Sequence, residues 1–186
     1  MPQAKTITDA EFELLLLAVS RGRYAHRNRV MLEFLHLAGM RVGEVANLRV
    51  TDVLCVAGQI VEQLTLSADQ TKGDRSRVVW LNAKLRSSIA EYLKHHRDGS
   101  LMLFTSQKRK HFTPNTLQAV ITKLYNNAGF KGCSSHTGRR SFISKLASSG
   151  VNARVLQELA GHQNLATTQR YIDITDNMMR VAVSLA

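Results

Sequence analysis

The stretch His136–Tyr171, HTGRRSFISKLASSGVNARVLQELAGHQNLATTQRY, decides how this chain folds and what it can hold. Its apolar spacing predicts a helix from His136 to the breaker Gly150. Asn152 is placed to cap a second helix that runs to about Ala160. After Gly161–Leu165 a short helix carries Thr167, Thr168 and Tyr171. His136 and Arg139 stand three apart and so share a helix face. Gly161-His162 follows the apolar end of the second helix, and Tyr171 comes nine residues later. Cations around a lone phenol suggest a site that holds an anion and attacks it with the phenol oxygen.

Upstream, Thr8-Asp9-Ala10-Glu11 is a capping box that opens a helix to about Ser20. Arg21-Gly22-Arg23 breaks it, and a second helix covers about Tyr24 to Ala38. Gly39 suits the left-handed position that ends a helix. Met40–Leu48 then starts a short one. The period changes next. Asp52–Val56, Gln59–Leu66 and Ser76–Leu81 read as three strands, with turns at Ala57-Gly58 and Thr71–Arg75. Asn82 can cap a helix from Ala83 to about Arg97. A short apolar piece, Leu101–Phe104, precedes the basic loop Gln107–His111. Thr113-Pro114 is a strong helix start, and that helix should reach about Ala128. Ile172–Ala186 is amphipathic enough for one more. The expected fold class is mainly α with a small three-stranded antiparallel sheet (α+β), in a single domain.

The 186 residues hold 25 Lys+Arg against 14 Asp+Glu, a net charge of +11. That excess points to a polyanionic partner, nucleic acid before an anionic membrane surface. Hydrophobic residues make up 44%, enough for a real core, and only two prolines argues against a disordered chain. Cys55 and Cys133 have no metal-ligand spacing and fit free thiols of a reducing compartment. The N-terminus lacks the apolar stretch of a signal peptide, and Leu14–Val19 is too short to span a bilayer. The expected location is cytoplasmic, at the nucleoid.

Taken singly, the polar residues leave two readings open. Arg41 reads equally as a surface arginine paired with Glu44 at i,i+3. Lys72 is at a turn, where lysines face solvent. His136 reads equally as a helix-start residue with no further role, and Arg139-Arg140 as a solvated or DNA-contacting pair. His162 suits a helix C-terminus by its charge, and Tyr171 can be core packing beside Ile172. Their joint occurrence is less easily assigned to chance.

The pieces Ala38-Gly39-Met40-Arg41-Val42-Gly43-Glu44-Val45, Thr71-Lys72-Gly73, His136-x-x-Arg139-Arg140-Ser141 and Leu159–Tyr171 occur in this order and spacing. Together they resemble the catalytic domain of the tyrosine recombinases, the phage integrase family, from about Thr8 to Tyr171. Gly138 departs from that pattern, in which leucine is usual.

The resemblance implies a DNA-breaking and -joining enzyme, a site-specific recombinase that integrates, excises or inverts DNA. Arg41 and Arg139 would clamp the scissile phosphate, because guanidinium forks match phosphate oxygens and stay charged. Tyr171 would be the nucleophile that forms a 3′-phosphotyrosine link. A free phenol has a pKa of about 10, so it needs help, and His136 is the candidate base or orienter. Lys72 would protonate the departing 5′ oxygen, and His162 would add a hydrogen bond to the phosphate. Glu44 would orient Arg41. No metal and no cofactor is implied. Arg75, Arg77, Lys108, Arg109, Lys110, Lys131 and Arg140 are candidates for holding double-stranded DNA.

The family normally carries a helical clamp domain ahead of this one. Met1 stands about seven residues before the first helix, so the expectation is one catalytic domain over 1–186, resembling the short fimbrial DNA invertases. The terminal segment resembles the one that packs on a neighbouring protomer. This implies a homotetramer on two DNA sites, with a monomer possible without DNA. Two other outcomes stay open: an inactive or regulatory DNA-binding protein of this fold, and strand relaxation like that of a type IB topoisomerase.

Overall fold

The computed structural model describes residues 5–71, 75–96, 99–108, 110–172, 179–180 and 183–184. The helices begin where the caps place them. Thr8 and Glu11 close a full capping box on α1 (Asp9–Val19). Helix α2 (Ala25–Leu37) ends before Gly39, which takes φ +60°. There a Cβ would lie 2.4 Å from the Phe142 ring, so glycine is required twice over. Helix α3 (Val42–Ala46) follows at once.

Helix α2 is the central post, packed against α7 (Thr137–Ser148) on one side and α5 (Ala83–Lys94) on the other. Val30, Met31, Leu32, Phe34 and Leu35 are almost wholly buried along it. Each such side chain contributes about 1.5–3 kcal/mol relative to exposure. Gly138 explains its own departure from leucine. A Cβ there would lie 2.9 Å from Leu35 Cβ and 3.0 Å from the Leu35 carbonyl carbon. Glycine lets α7 close directly onto the backbone of α2. Helix α6 (Pro114–Asn127), capped by Thr113, packs on α3. Asn152 and Asn164 cap α8 (Ala153–Ala160) and α9 (Leu165–Gln169).

The sheet is smaller than expected. Among the described residues two strands pair, β1 (Gln63–Leu66) and β2 (Arg77–Trp80), antiparallel, with Gln63 opposite Trp80 and Leu66 opposite Arg77. Leu64, Leu66 and Val79 point into the core. The strand expected over Asp52–Val56 is instead one helical turn, α4 (Val50–Val53). The reason is local. The Asp52 carboxylate accepts the Arg49 backbone N–H at 2.8 Å, an N3 cap that rewards helical over extended backbone. What remains of the hairpin is a single bridge, Leu54 to Ile60, around the Ala57-Gly58 turn. Helix α5 also stops at Lys94, short of Arg97, which lies outside the described residues. The helix expected over Ile172–Ala186 falls mostly outside them too. Among the described residues, no helix is long and apolar enough to cross a membrane.

Candidate active site

The C-terminus of α8 is where the distant pieces meet. Gly161 takes φ +61° and closes the helix in a Schellman pattern. Its N–H donates to Glu158 O, and the His162 N–H donates to Gln157 O. Three carbonyls remain at this negative helix end, and each accepts from a different arginine. Arg77 Nη1 donates to Leu159 O at 3.4 Å. Arg139 Nη2 donates to Ala160 O at 2.6 Å. Arg41 Nη2 donates to Gly161 O at 2.8 Å. Arg139 also donates from Nη1 to Gly39 O at 2.5 Å, which ties the turn bearing Arg41 to α7.

One buried carboxylate faces these cations. Glu44 Oε1 accepts from Arg41 Nη1 at 2.8 Å, and Oε2 accepts the Arg41 backbone N–H at 2.7 Å. Arg77 Nη2 lies 3.3 Å from that same Oε2. Two guanidinium groups, Arg41 and Arg77, thus share one carboxylate, while Arg139 is held by two backbone carbonyls, and the cluster is short of negative charge. Burial, then the charges of Arg41 and Arg77, push the Arg139 pKa down to about 9. Burial, then Arg139, Arg41 and Arg77, push His162 down to about 4. The imidazole is therefore neutral at physiological pH, and its Nδ1 is 2.9 Å from the hydroxyl of the fully buried Thr168. If Thr168 donates to Nδ1, Nε2 keeps its hydrogen and can give it to an anion. The Tyr171 ring stacks on His162 with centroids 6.1 Å apart and planes 22° apart.

A cleft of about 990 Å³ opens over this cluster, lined by Arg41, Arg75, Arg77, His162 and Asn164 among others, with Arg139 buried behind it. So Arg41, Arg139, His162 and Tyr171, from four separate segments, come together, with Glu44 accepting hydrogen bonds from Arg41. His136 does not join them by contact. It is exposed at the N-cap of α7, and its imidazole makes no hydrogen bond among the described residues. Lys72 and Arg109 lie outside the described residues. Arg75, Lys108, Lys110 and Lys131 are exposed, and Arg140 is half-buried. Arg77 is not one of that outer set. Its side chain is only 10% exposed, because the alternation of β2 turns it inward onto Glu44. Sequence reasoning also passed over Thr168 and Gln157, whose side-chain amide donates to His162 O at 3.0 Å. Only the folded contact with His162 marks either of them.

Away from the cleft, His26, Glu91 and His95 offer ligand atoms within 4.8 Å of one another. A 3.3 Å contact between His95 and Glu91 and a stack of the two imidazoles account for this arrangement.

Residues 5–178 match the model of the phage integrase family. This chain belongs to the phage integrase family. It is similar to the tyrosine recombinase XerA of Pyrococcus horikoshii, at 33% identity over 163 residues, 86% of this chain and 55% of that protein. The crystal structure of a XerA recombinase superposes with a TM-score of 0.77 at 25% identity, covering 100% of this chain and 66% of that one. The Tn1549 transposon integrase, solved in complex with a circular intermediate DNA, shares the fold with a TM-score of 0.78 at 19% identity, over 100% of this chain and 67% of that one. The chain thus spans somewhat more than half the length of the XerA relative it matches.

Proposed function

We propose that this chain carries the strand-transfer site of a site-specific DNA recombinase. Tyr171 Oη attacks a scissile phosphate, a P–O bond to tyrosine forms, and the bond to the 5′ oxygen breaks. The phenol proton passes to His136 or to water beside it, and Lys72 supplies a proton to the departing 5′ oxygen. The 3′-phosphotyrosine link conserves the bond, so the reverse attack by a 5′ hydroxyl rejoins DNA without an energy source. Arg41 and Arg139 hold the phosphate and stabilise the charge that grows on it, where preorganised donors have their largest effect. His162 donates a further hydrogen bond. The observation that carries this reading is the convergence of three guanidinium groups on the end of α8, with one carboxylate paired to two of them, beside a stacked His162–Tyr171 pair. Such a cluster lacks an anion, and a phosphodiester supplies it.

The partner is double-stranded DNA, gripped through Arg75, Lys108, Lys110 and Lys131, and the working assembly is a homotetramer on two DNA sites. Binding of this kind is mostly non-specific and falls steeply with salt.

A pool of nicked duplexes of randomised sequence tests the reaction. The nick lets the short 5′ fragment diffuse away and traps the covalent intermediate. Wild-type protein should shift to a protein–DNA adduct on a denaturing gel, and Tyr171→Phe should give none. No adduct from wild type, or an adduct that survives Tyr171→Phe, would sink the enzyme reading. Relaxation of supercoiled plasmid with no preference for any site would mark topoisomerase-like strand passage instead.

A further inference from the structure

We propose that Arg77 is a positioning residue of this site: it holds the Glu44 carboxylate and the C-terminus of α8 where Arg41 and His162 can meet the scissile phosphate. This rests on the recombinase reading above.

Four observations converge on it. Arg77 Nη2 lies 3.3 Å from the Glu44 oxygen that accepts the Arg41 N–H, so Glu44 is held from both sides. Nη1 reaches Leu159 O, next to the carbonyls taken by Arg139 and Arg41. The guanidinium also fills the space over Gly161, where a Cβ would lie 2.4 Å from Nη1 and 2.8 Å from Cδ. Gly161 is therefore needed both for its positive φ and for this approach. Finally, Arg77 Nε is buried with no hydrogen-bond partner in the described structure, and Nη2 has the Glu44 ion pair but no hydrogen bond. Burying a guanidinium so incompletely satisfied is costly, and a surface contact to DNA would not require it.

The physical consequence is a division of one negative charge. With Arg77 in place, Glu44 cannot collapse wholly onto Arg41, which keeps its fork turned to the cleft. Arg77 also sets the position of Gly161 and so of the His162 that follows. That imidazole faces Arg41, Arg77 and Arg139, the Thr168 hydroxyl and the Tyr171 ring. Lysine cannot replace this grip, because a point charge cannot reach the carboxylate and the carbonyl together in one planar fork.

The test compares Arg77→Gln, Arg77→Lys and Arg75→Gln with wild type, after thermal unfolding has shown which fold. Single-turnover adduct formation is measured at saturating protein on the nicked pool. Affinity for intact duplex is measured across salt concentrations. His162 is followed by NMR through a pH titration. Arg77→Gln should slow adduct formation on the order of a hundredfold, the scale of a small misplacement in a reacting site. Its duplex affinity and salt slope should stay within twofold of wild type. Arg77→Lys should stay at least tenfold slow, though folded and with its charge kept, and it carries the test if Arg77→Gln does not fold. Arg75→Gln should do the opposite kind of damage, losing affinity and about one unit of salt slope. His162 should titrate higher in Arg77→Gln than in wild type. If the Arg77 variants lose affinity and slope as Arg75→Gln does, or keep the wild-type rate, Arg77 is a DNA contact or a bystander and the proposal is overturned. If wild type forms no adduct, the recombinase reading fails by itself. The His162 titration then still decides: an unmoved curve in both Arg77 variants overturns the placement of His162 by Arg77, and a moved one upholds it.

Discussion

Two histidines in this molecule are pushed to the same pKa, about 4, for different reasons. His36 lies in the seam between α1 and α2, stacked on Phe12 with centroids 3.8 Å apart. Burial dominates there. Asp9, 3.8 Å away, opposes the shift, and Lys145 adds to it. His162 is half-exposed at the cleft, and after burial its causes are three arginines. The first site regains its proton only near pH 4, against its burial. The second can regain it when an anion arrives and cancels the surrounding charge. A depressed histidine is thus a packing feature in one region and the mark of a cation-lined cleft in the other.

The largest expected effect tests the cation cluster. Arg139→Ala should slow adduct formation by about 10²–10³, the range for losing one preorganised donor to a transition state. It should leave the acid sensitivity of the His36 seam unchanged. A loss under tenfold would break the distinction between the two regions.

Next comes acid stability. The unfolded chain protonates His36 near 6.5 and the native state only near 4, so the unfolded state binds more protons between those values. The stability is therefore complete above about pH 6.5 and lost as pH falls toward 4, by about 3 kcal/mol in all. Urea unfolding at pH 7, 5.5 and 4.5 should show this fall. His36→Phe, which keeps a ring against Phe12, should flatten most of it. A fall of equal depth in that variant would assign the effect elsewhere.

Gly161→Ala is expected to cost about 1–3 kcal/mol for its left-handed backbone, measured by the urea midpoint. It should cost more in adduct rate than in stability, because the new methyl group displaces Arg77. Equal losses would make Gly161 a helix stop and nothing else.

The smallest effect is the most direct comparison. Titrating inorganic phosphate should raise the NMR pKa of His162 by up to about one unit, as a nearby opposite charge does. The His36 curve should not move. Parallel movement of both would remove the contrast.

Much of this was legible in the residues. Caps at Thr8, Asn82, Thr113 and Asn152 mark helix starts, because an N-cap is satisfied within a few residues of itself. The expected strand at Asp52–Val56 failed for the same reason: a cap from Asp52 to Arg49 outweighed β-branched composition. Gly138 shows the opposite limit. Nothing local to it reveals that α7 needs a bare backbone there, since the obstacle is Leu35, a hundred residues earlier.

The sequence alone determined the capped helix starts, the basic charge, and the order of Arg41, Arg139, His162 and Tyr171, with Glu44 one turn from Arg41. All of these depend on neighbours along the chain or on composition. Only the tertiary structure decided that Arg77 turns inward while Arg75 stays outside, that Thr168 holds His162, and that three arginines share the end of α8. Those facts depend on which carbonyls a helix end leaves open and on which segments fold against it. Neither quantity is carried by the spacing of residues along the chain.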